Sequence, residues 1–157
     1  MEQVTRERIF IDKQHPAVYR ALNGLGLKVR EAADAAGIDR MVTELINIRV
    51  SQINGCAYCL DMHVTDALAN GETIQRIVVL PAWRDTQLFT AQEQGALALA
   101  ESLTELPDHE SQDRAYAFAR KCLTEDQLSA VSWITLTMNA FNRLSIISEH
   151  PVRAAKA

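Results

Sequence analysis

No stretch of the sequence is long and apolar enough to span a membrane, and the opening residues, MEQVTRERIF, are charged where a signal segment would be apolar. From these two absences we expect a cytoplasmic chain without membrane contact. Charge of one sign is not concentrated anywhere: 16 Lys and Arg are scattered among 20 Asp and Glu, for a formal net charge of −4. The basic stripe that tracks phosphates is missing, which excludes nucleic acid as an expected partner. Strand signals are scarce, since only Arg8 to Ile11 offers a short β-like run and no Val/Ile alternation is bounded by hairpin dipeptides. There is no internal repeat, low-complexity linker or break in composition. Residues 1–157 are therefore expected to form one domain, and a hydrophobic content of 48% is enough for its core. Cysteine is sparse as well. Three thiols are an odd number, and two of them, Cys56 and Cys59, sit in a C-x-x-C pair, which in a reducing compartment reads as redox or metal chemistry before a structural disulfide framework.

What is present reads as helix throughout. Pro16 stands where a helix can begin without losing a needed donor, and Tyr19, Leu22, Leu25 and Val29 follow at helical spacing towards Ala36, with Gly37 as the stop. Asp39 is placed to cap a second helix through Met41, Leu45, Ile46, Ile48 and Ile53, ending at the turn signal Asn54-Gly55. A third helix opens at Cys56 and runs to Asn70-Gly71, and a short segment from Thr73 to Leu80 precedes Pro81. Thr90 with Glu93, and Thr124 with Gln127, have capping-box spacing ahead of two further helices. Asp113 to Cys122 also reads as helical, and Glu105 to Gln112 reads as a loop. The expected fold class is all-α, a single-domain helical bundle. Residues 130–147 are apolar on nearly every side, which asks either for a partner subunit or for a central position inside the bundle.

The chemistry concentrates at the third helix. At about 100° per residue, Cys56, Cys59 and His63 fall within one face, with both thiols in the opening turn where free amides and the macrodipole favour an anion. His63 lies four residues beyond Cys59, so the imidazole is better placed to activate Cys59 than Cys56. If the two helices flanking Asn54-Gly55 fold back on each other, Glu44 lies about 15 Å before the turn and His63 about 13 Å after it, at 1.5 Å per residue. A carboxylate level with the imidazole could orient it and relay a proton, giving the series Glu44, His63, Cys59. The bland readings are specific. Glu44 could only pair with Arg40 one turn earlier, His63 could be a satisfied core histidine, and C-x-x-C could be half of a zinc site, although Cys56, Cys59 and His63 on one helix offer awkward tetrahedral geometry and no obvious fourth ligand. Cys122, among Tyr116, Ala117 and Phe118, reads as a small buried hydrophobe, and His15, His109 and His150 fall in caps, loops or tail and are assigned no chemistry.

The segment from Glu44 to His63, ELINIRVSQINGCAYCLDMH, resembles the core of the alkylhydroperoxidase D family within the carboxymuconolactone decarboxylase superfamily, matching E-x11-C-x2-C-x3-H at every functional position. The stretches Ala82 to Phe89 and Asn139 to Arg143 resemble members of the same group. The resemblance implies an AhpD-like all-helical fold with the C-x-x-C pair at the start of a central helix, and assembly as a homo-oligomer, commonly a trimer or hexamer. It also implies a peroxidase cycle in which Glu44, Cys56, Cys59 and His63 are the catalytic residues. No haem, flavin or metal cofactor is implied. The partners expected are a small hydroperoxide and an external dithiol, in the family lipoamide on an acyltransferase reached through an adaptor protein. Tyr58 departs from the family, whose characterised hydroperoxidase has a histidine immediately before the second cysteine. In this cycle Cys59 meets the peroxide and becomes a sulfenic acid, and Cys56 condenses with it to an intramolecular disulfide. Three other readings stand beside it: a thiol–disulfide exchange protein, a non-redox decarboxylase or hydrolase working through His63 and Glu44, and a structural zinc protein.

Overall fold

The computed structural model describes residues 7–155, so the first six residues of the charged N-terminal segment lie outside it. Among the described residues there are eight α-helices and no strand: α1 (Ile11–Gln14), α2 (Pro16–Ala36), α3 (Arg40–Asn54), α4 (Ala57–Ala69), α5 (Ile74–Val79), α6 (Ala91–Glu105), α7 (His109–Cys122) and α8 (Glu125–Ser148). A 3-10 segment, Leu80–Asp85, follows α5. None of these helices is long and apolar enough to cross a membrane.

The boundaries follow from local chemistry. Asp39 accepts a hydrogen bond from the Val42 amide and opens α3, and both expected capping boxes form, Thr90 with Glu93 on α6 and Thr124 with Gln127 on α8. Gly37 and Gly55 end α2 and α3 in the left-handed conformation, at φ of 78° and 67°, where a side chain would cost energy. Two expectations need correction. Arg8 to Ile11 forms no strand, because Ile11 starts the one-turn α1. The loop expected over Glu105 to Gln112 shrinks to Leu106–Asp108, because Asp108 caps α7 through the Ser111 amide and brings His109 into the helix.

Helix α3 is buried on two sides and feeds both apolar clusters. Val42, Ile46 and Val50, four residues apart, pack with α2, α6, α7 and α8 around Val131, Ile134 and Met138. Leu45 and Ile48, on the adjoining stripe, pack with Ala67 of α4, Leu80, Trp83, Phe89 and Leu97. Such a helix is held from two sides, which suits it to carry a residue whose aim must be exact. Helix α8 lies against α2, α3 and α6. Its Val131, Ile134 and Met138 are buried, yet Trp133 is 48% and Leu136 49% exposed, so one chain covers only one side of this apolar helix.

Two polar networks pin the helices in register. Asn142 of α8, fully buried, donates to Ser51 Oγ at 3.0 Å and accepts from Asn54 Nδ2 at 3.0 Å, while Asn54 also donates to Asn139 Oδ1 at 2.9 Å. Glu101 of α6 accepts from Arg49 of α3 at 2.7 Å and from Trp83 Nε1 at 3.0 Å, and it pairs with Arg84. Buried polar groups that satisfy one another in this way cost little, whereas losing one partner strands the rest. Helices α6 and α7 approach so closely at Gly95 that a Cβ there would fall 2.6 Å from Cys122 Cβ.

Candidate active site

The site is built on the α3–α4 hairpin. Asn54 ends α3, Gly55 turns the chain, and the Cys56 amide donates back to the Ser51 carbonyl at 3.1 Å. Because Asn54 is held by Asn139 and Asn142, the turn is tied to α8 directly ahead of the first cysteine. The resemblance of Asn139 to Arg143 to a family segment thus has a physical content that spacing alone did not supply.

Cys56 is the N-cap of α4, in extended conformation, and its sulfur accepts the Cys59 amide at 3.3 Å. Cys59, His63 and Ala67, each four residues on from the last, form the single stripe that α4 buries. Cys56 and Cys59 form a disulfide across a Cα separation of 5.3 Å, and each residue is only 2% exposed.

Glu44, 2% exposed, sits on α3 level with His63, and its Oε2 lies 2.7 Å from His63 Nδ1. The helices fold back as the spacing required. The other oxygen, Oε1, accepts from Arg40 Nε at 2.8 Å, so the surface pairing with Arg40 and the pairing with the histidine occur together on one carboxylate. Burial works against ionisation of Glu44, but the hydrogen bonds and charges of His63 and Arg40 outweigh it and hold its pKa below the ordinary glutamate value. An ionised Glu44 accepts a hydrogen bond from Nδ1–H of the neutral imidazole, which leaves the lone pair on Nε2. Nε2 is buried and has no hydrogen-bond partner among the described residues. Exposing a lone pair to an apolar surround without a partner is costly, and it leaves that nitrogen ready for a thiol proton or a ligand.

Glu44, His63 and Asp66 place donor atoms within 4.8 Å of one another, a set that could hold a cation. Arg40 already serves that place: it is bonded to Glu44, and its Nη2 lies 3.6 Å from Asp66. The positive charge that the carboxylates call for comes from the chain.

Tyr58, between the two cysteines, is exposed and packs edge-on to His150, with ring centroids 5.3 Å apart. From its position in the sequence His150 is expected only to lie in the tail. The structure has it join α1 to α8, Nε2 lying 3.0 Å from Asp12 Oδ1 and Nδ1 3.1 Å from Ser145 Oγ, with the Phe10 ring also packed edge-on to it. Phe10, Asp12, Tyr58 and His150, with Lys13 and Asp61, line a cleft of about 470 Å³ alongside the motif. His15 and His109 remain exposed at helix starts, and Cys122 is a free, half-buried thiol packed against the larger core cluster.

The helical scaffold with a cysteine pair and an acid-supported histidine defines a class, and the sequence comparison places the chain within it. The chain belongs to the carboxymuconolactone decarboxylase family, whose model matches residues 16–102. It is 42% identical over 111 residues to the uncharacterised protein YdfG of Bacillus subtilis, covering 71% of this chain and 76% of that one. Among solved structures it is similar to a protein of unknown function from Agrobacterium tumefaciens, proposed to be the antioxidant-defence protein AhpD. That match has a TM-score of 0.82 and 27% identity, over 94% of this chain and all of the other. A debrominase in its apo form shares the fold at a TM-score of 0.73 and 16% identity, over 90% of this chain and 74% of that one.

Proposed function

We propose that this protein is a thiol peroxidase in which Cys59 is the peroxide-reducing thiol, Cys56 the resolving thiol, and His63 with Glu44 the proton relay. The observation that carries this reading is the buried Glu44–His63 pair one turn along α4 from a Cys56–Cys59 disulfide, with His63 Nε2 unpartnered. His63 accepts the Cys59 proton at Nε2, and the thiolate attacks the outer oxygen of a hydroperoxide. The O–O bond breaks, Cys59 becomes a sulfenic acid, and the leaving alkoxide takes the proton back from His63 as alcohol. The Cys56 thiol then displaces water from the sulfenic acid, forming the disulfide. An external dithiol of the lipoamide kind reduces it and leaves as its own disulfide. No metal, haem or flavin takes part, since sulfur carries both electrons.

The cycle is proposed for a cytoplasmic homo-oligomer. The half-exposed Trp133 and Leu136 on α8 support a partner subunit, and a light-scattering mass of two or more chains is the expected result. A second reading, thiol–disulfide exchange without peroxide, draws on Cys56 at the N-cap, where the Cys59 amide would stabilise a thiolate. Stopped-flow mixing of the reduced protein with hydrogen peroxide and with an organic hydroperoxide, with thiols counted before and after, decides between them. Loss of two thiols per chain on a single mixing is expected. No reaction with either oxidant would leave disulfide exchange as the function. An organic bromide, included because the same fold serves a debrominase, is the control.

A further inference from the structure

We infer that the groove between α2 and α3, floored by α8, is a binding site for an amphipathic carboxylate. Its head group would meet Arg30 and Asn47, and its apolar body would lie along Leu27, Ile134, Met138 and Phe141. The groove encloses about 410 Å³, within the range of about 300–1,000 Å³ typical of small-molecule sites. Cys56, Cys59, His63 and Glu44 do not line it, so the site is separate from the thiol chemistry and does not depend on it.

Asn47 is the first observation. It is only 8% exposed, yet its side-chain amide makes no hydrogen bond among the described residues, while the other buried polar residues of α3, Glu44 and Ser51, are each bonded. Its polar atoms are not sealed in the interior but open on the groove, so a ligand oxygen entering there meets an amide with no competing protein partner. Asn47 lines the groove, the side from which such an oxygen can come.

Arg30 is the second. It is the single charged residue lining the groove, and it has no carboxylate partner among the described residues, although the neighbouring Lys28 is paired with Glu31 at 2.8 Å. Arg40, Arg49 and Arg76 are each paired with a carboxylate, whereas Arg30 leaves its guanidinium at the rim of the groove without one, and an anionic head group fits it there. A carboxylate satisfies both groups at once, one oxygen on the guanidinium fork and one on the Asn47 NH2, and the remaining lining is apolar enough to take a hydrocarbon tail.

Calorimetric titration of the full chain with decanoate, and separately with decyltrimethylammonium, tests the site. Decanoate is expected to bind saturably, one per chain, and the cation not to bind. Arg30→Gln, a change at an exposed position, and Asn47→Leu, which keeps bulk in the groove, are each expected to weaken decanoate about tenfold or more. Decanoate should also shift the one side-chain amide pair in ¹⁵N NMR spectra that disappears in Asn47→Leu. Peroxide-driven thiol loss should be the same in Arg30→Gln as in the unaltered protein, so failure of this site and failure of the peroxidase reading are told apart. Equal binding of both amphiphiles, an unchanged affinity in Arg30→Gln, or no decanoate binding at about 1 mM would overturn the proposal. So would a fall in light-scattering mass on adding decanoate, which would give the groove to a second copy of the chain.

Discussion

Two histidine–carboxylate pairs flank the same cysteine motif, and they are built in opposite ways. His63 and Glu44 meet 2.7 Å apart across a hairpin whose strut, α3, is packed on two sides, and Arg40 fixes the second carboxylate oxygen. His150 and Asp12 meet 3.0 Å apart from residues near the two ends of the chain, backed by Ser145 and two aromatic edges, and reach the motif only through the exposed Tyr58. The chemical pair is the same. What separates them is that the first has a preorganised base nitrogen facing inward without a partner, whereas both nitrogens of the second are already engaged. A catalytic imidazole needs an empty valence as much as it needs a carboxylate behind it.

The largest effect expected at the inner pair is loss of its client. Cys59→Ser should abolish peroxide consumption, while Cys56→Ser should react once and stall as a sulfenic acid that a dimedone-type probe traps. A trapped sulfenic acid on Cys56 in active Cys59→Ser protein would reverse the two roles. Next in size, His63→Gln should slow the first oxidation by roughly 10²- to 10⁴-fold, as removal of a general base does. His150→Gln, which strips the outer pair, should change that rate by less than about threefold, because it touches no reacting atom in the proposed cycle. Equal losses in the two variants, measured by stopped flow, would erase the contrast. Glu44→Gln should fall between them, at about 10- to 100-fold, since it leaves the imidazole in place but withdraws the group that orients it and supports its basicity.

The smallest effect is on stability. Glu44 and Glu101 both have their pKa held below the ordinary value of 4.5 in the folded chain, despite burial, by the hydrogen bonds and charges of His63 and Arg40 in one case and of Arg49 and Arg84 in the other. A depressed carboxyl contributes stability above its unfolded pKa and loses that contribution as pH falls through the folded one. Denaturant midpoints should therefore be steady from pH 7 to near 5 and decline below about 4.5. In Glu44→Gln that acid decline should be shallower than in the unaltered protein. A decline of the same steepness would mean that the inner pair adds nothing to folding.

The inner pair was legible in the sequence and the outer one was not, for a reason of geometry. Glu44 and His63 lie either side of a turn marked by Asn54-Gly55, so a fixed rise per residue on two helices is enough to bring them level. His150 and Asp12 are 138 residues apart, and no local period or cap signals that two such distant residues meet. Helix limits were legible wherever a cap side chain sits beside apolar periodicity, as at Asp39, Thr90 and Thr124. The start of α7 was hidden because His109 to Arg114 carries no apolar stripe: of the whole helix only Ala119 is buried, so the Asp108 cap stood in front of what reads as a polar loop. Asn142 and Glu101 were hidden for a different reason. Their value lies in partners on other helices, which a single helix's pattern does not record.

The burial of the disulfide would set a clock on the proposed cycle. With Cys56 and Cys59 each 2% exposed, the dithiol of the proposed cycle would need the α3–α4 turn to open before it met sulfur, and Asn54 ties that turn to Asn139 and Asn142. At low dithiol the observed reduction rate follows the fraction of molecules that are open. At high dithiol it levels off at the frequency of opening, and adding reductant gains nothing. The ceiling on turnover in the proposed cycle would then be written by three asparagine amides that touch no reacting atom, and a chain with a looser turn would trade shelter from stray thiols for speed.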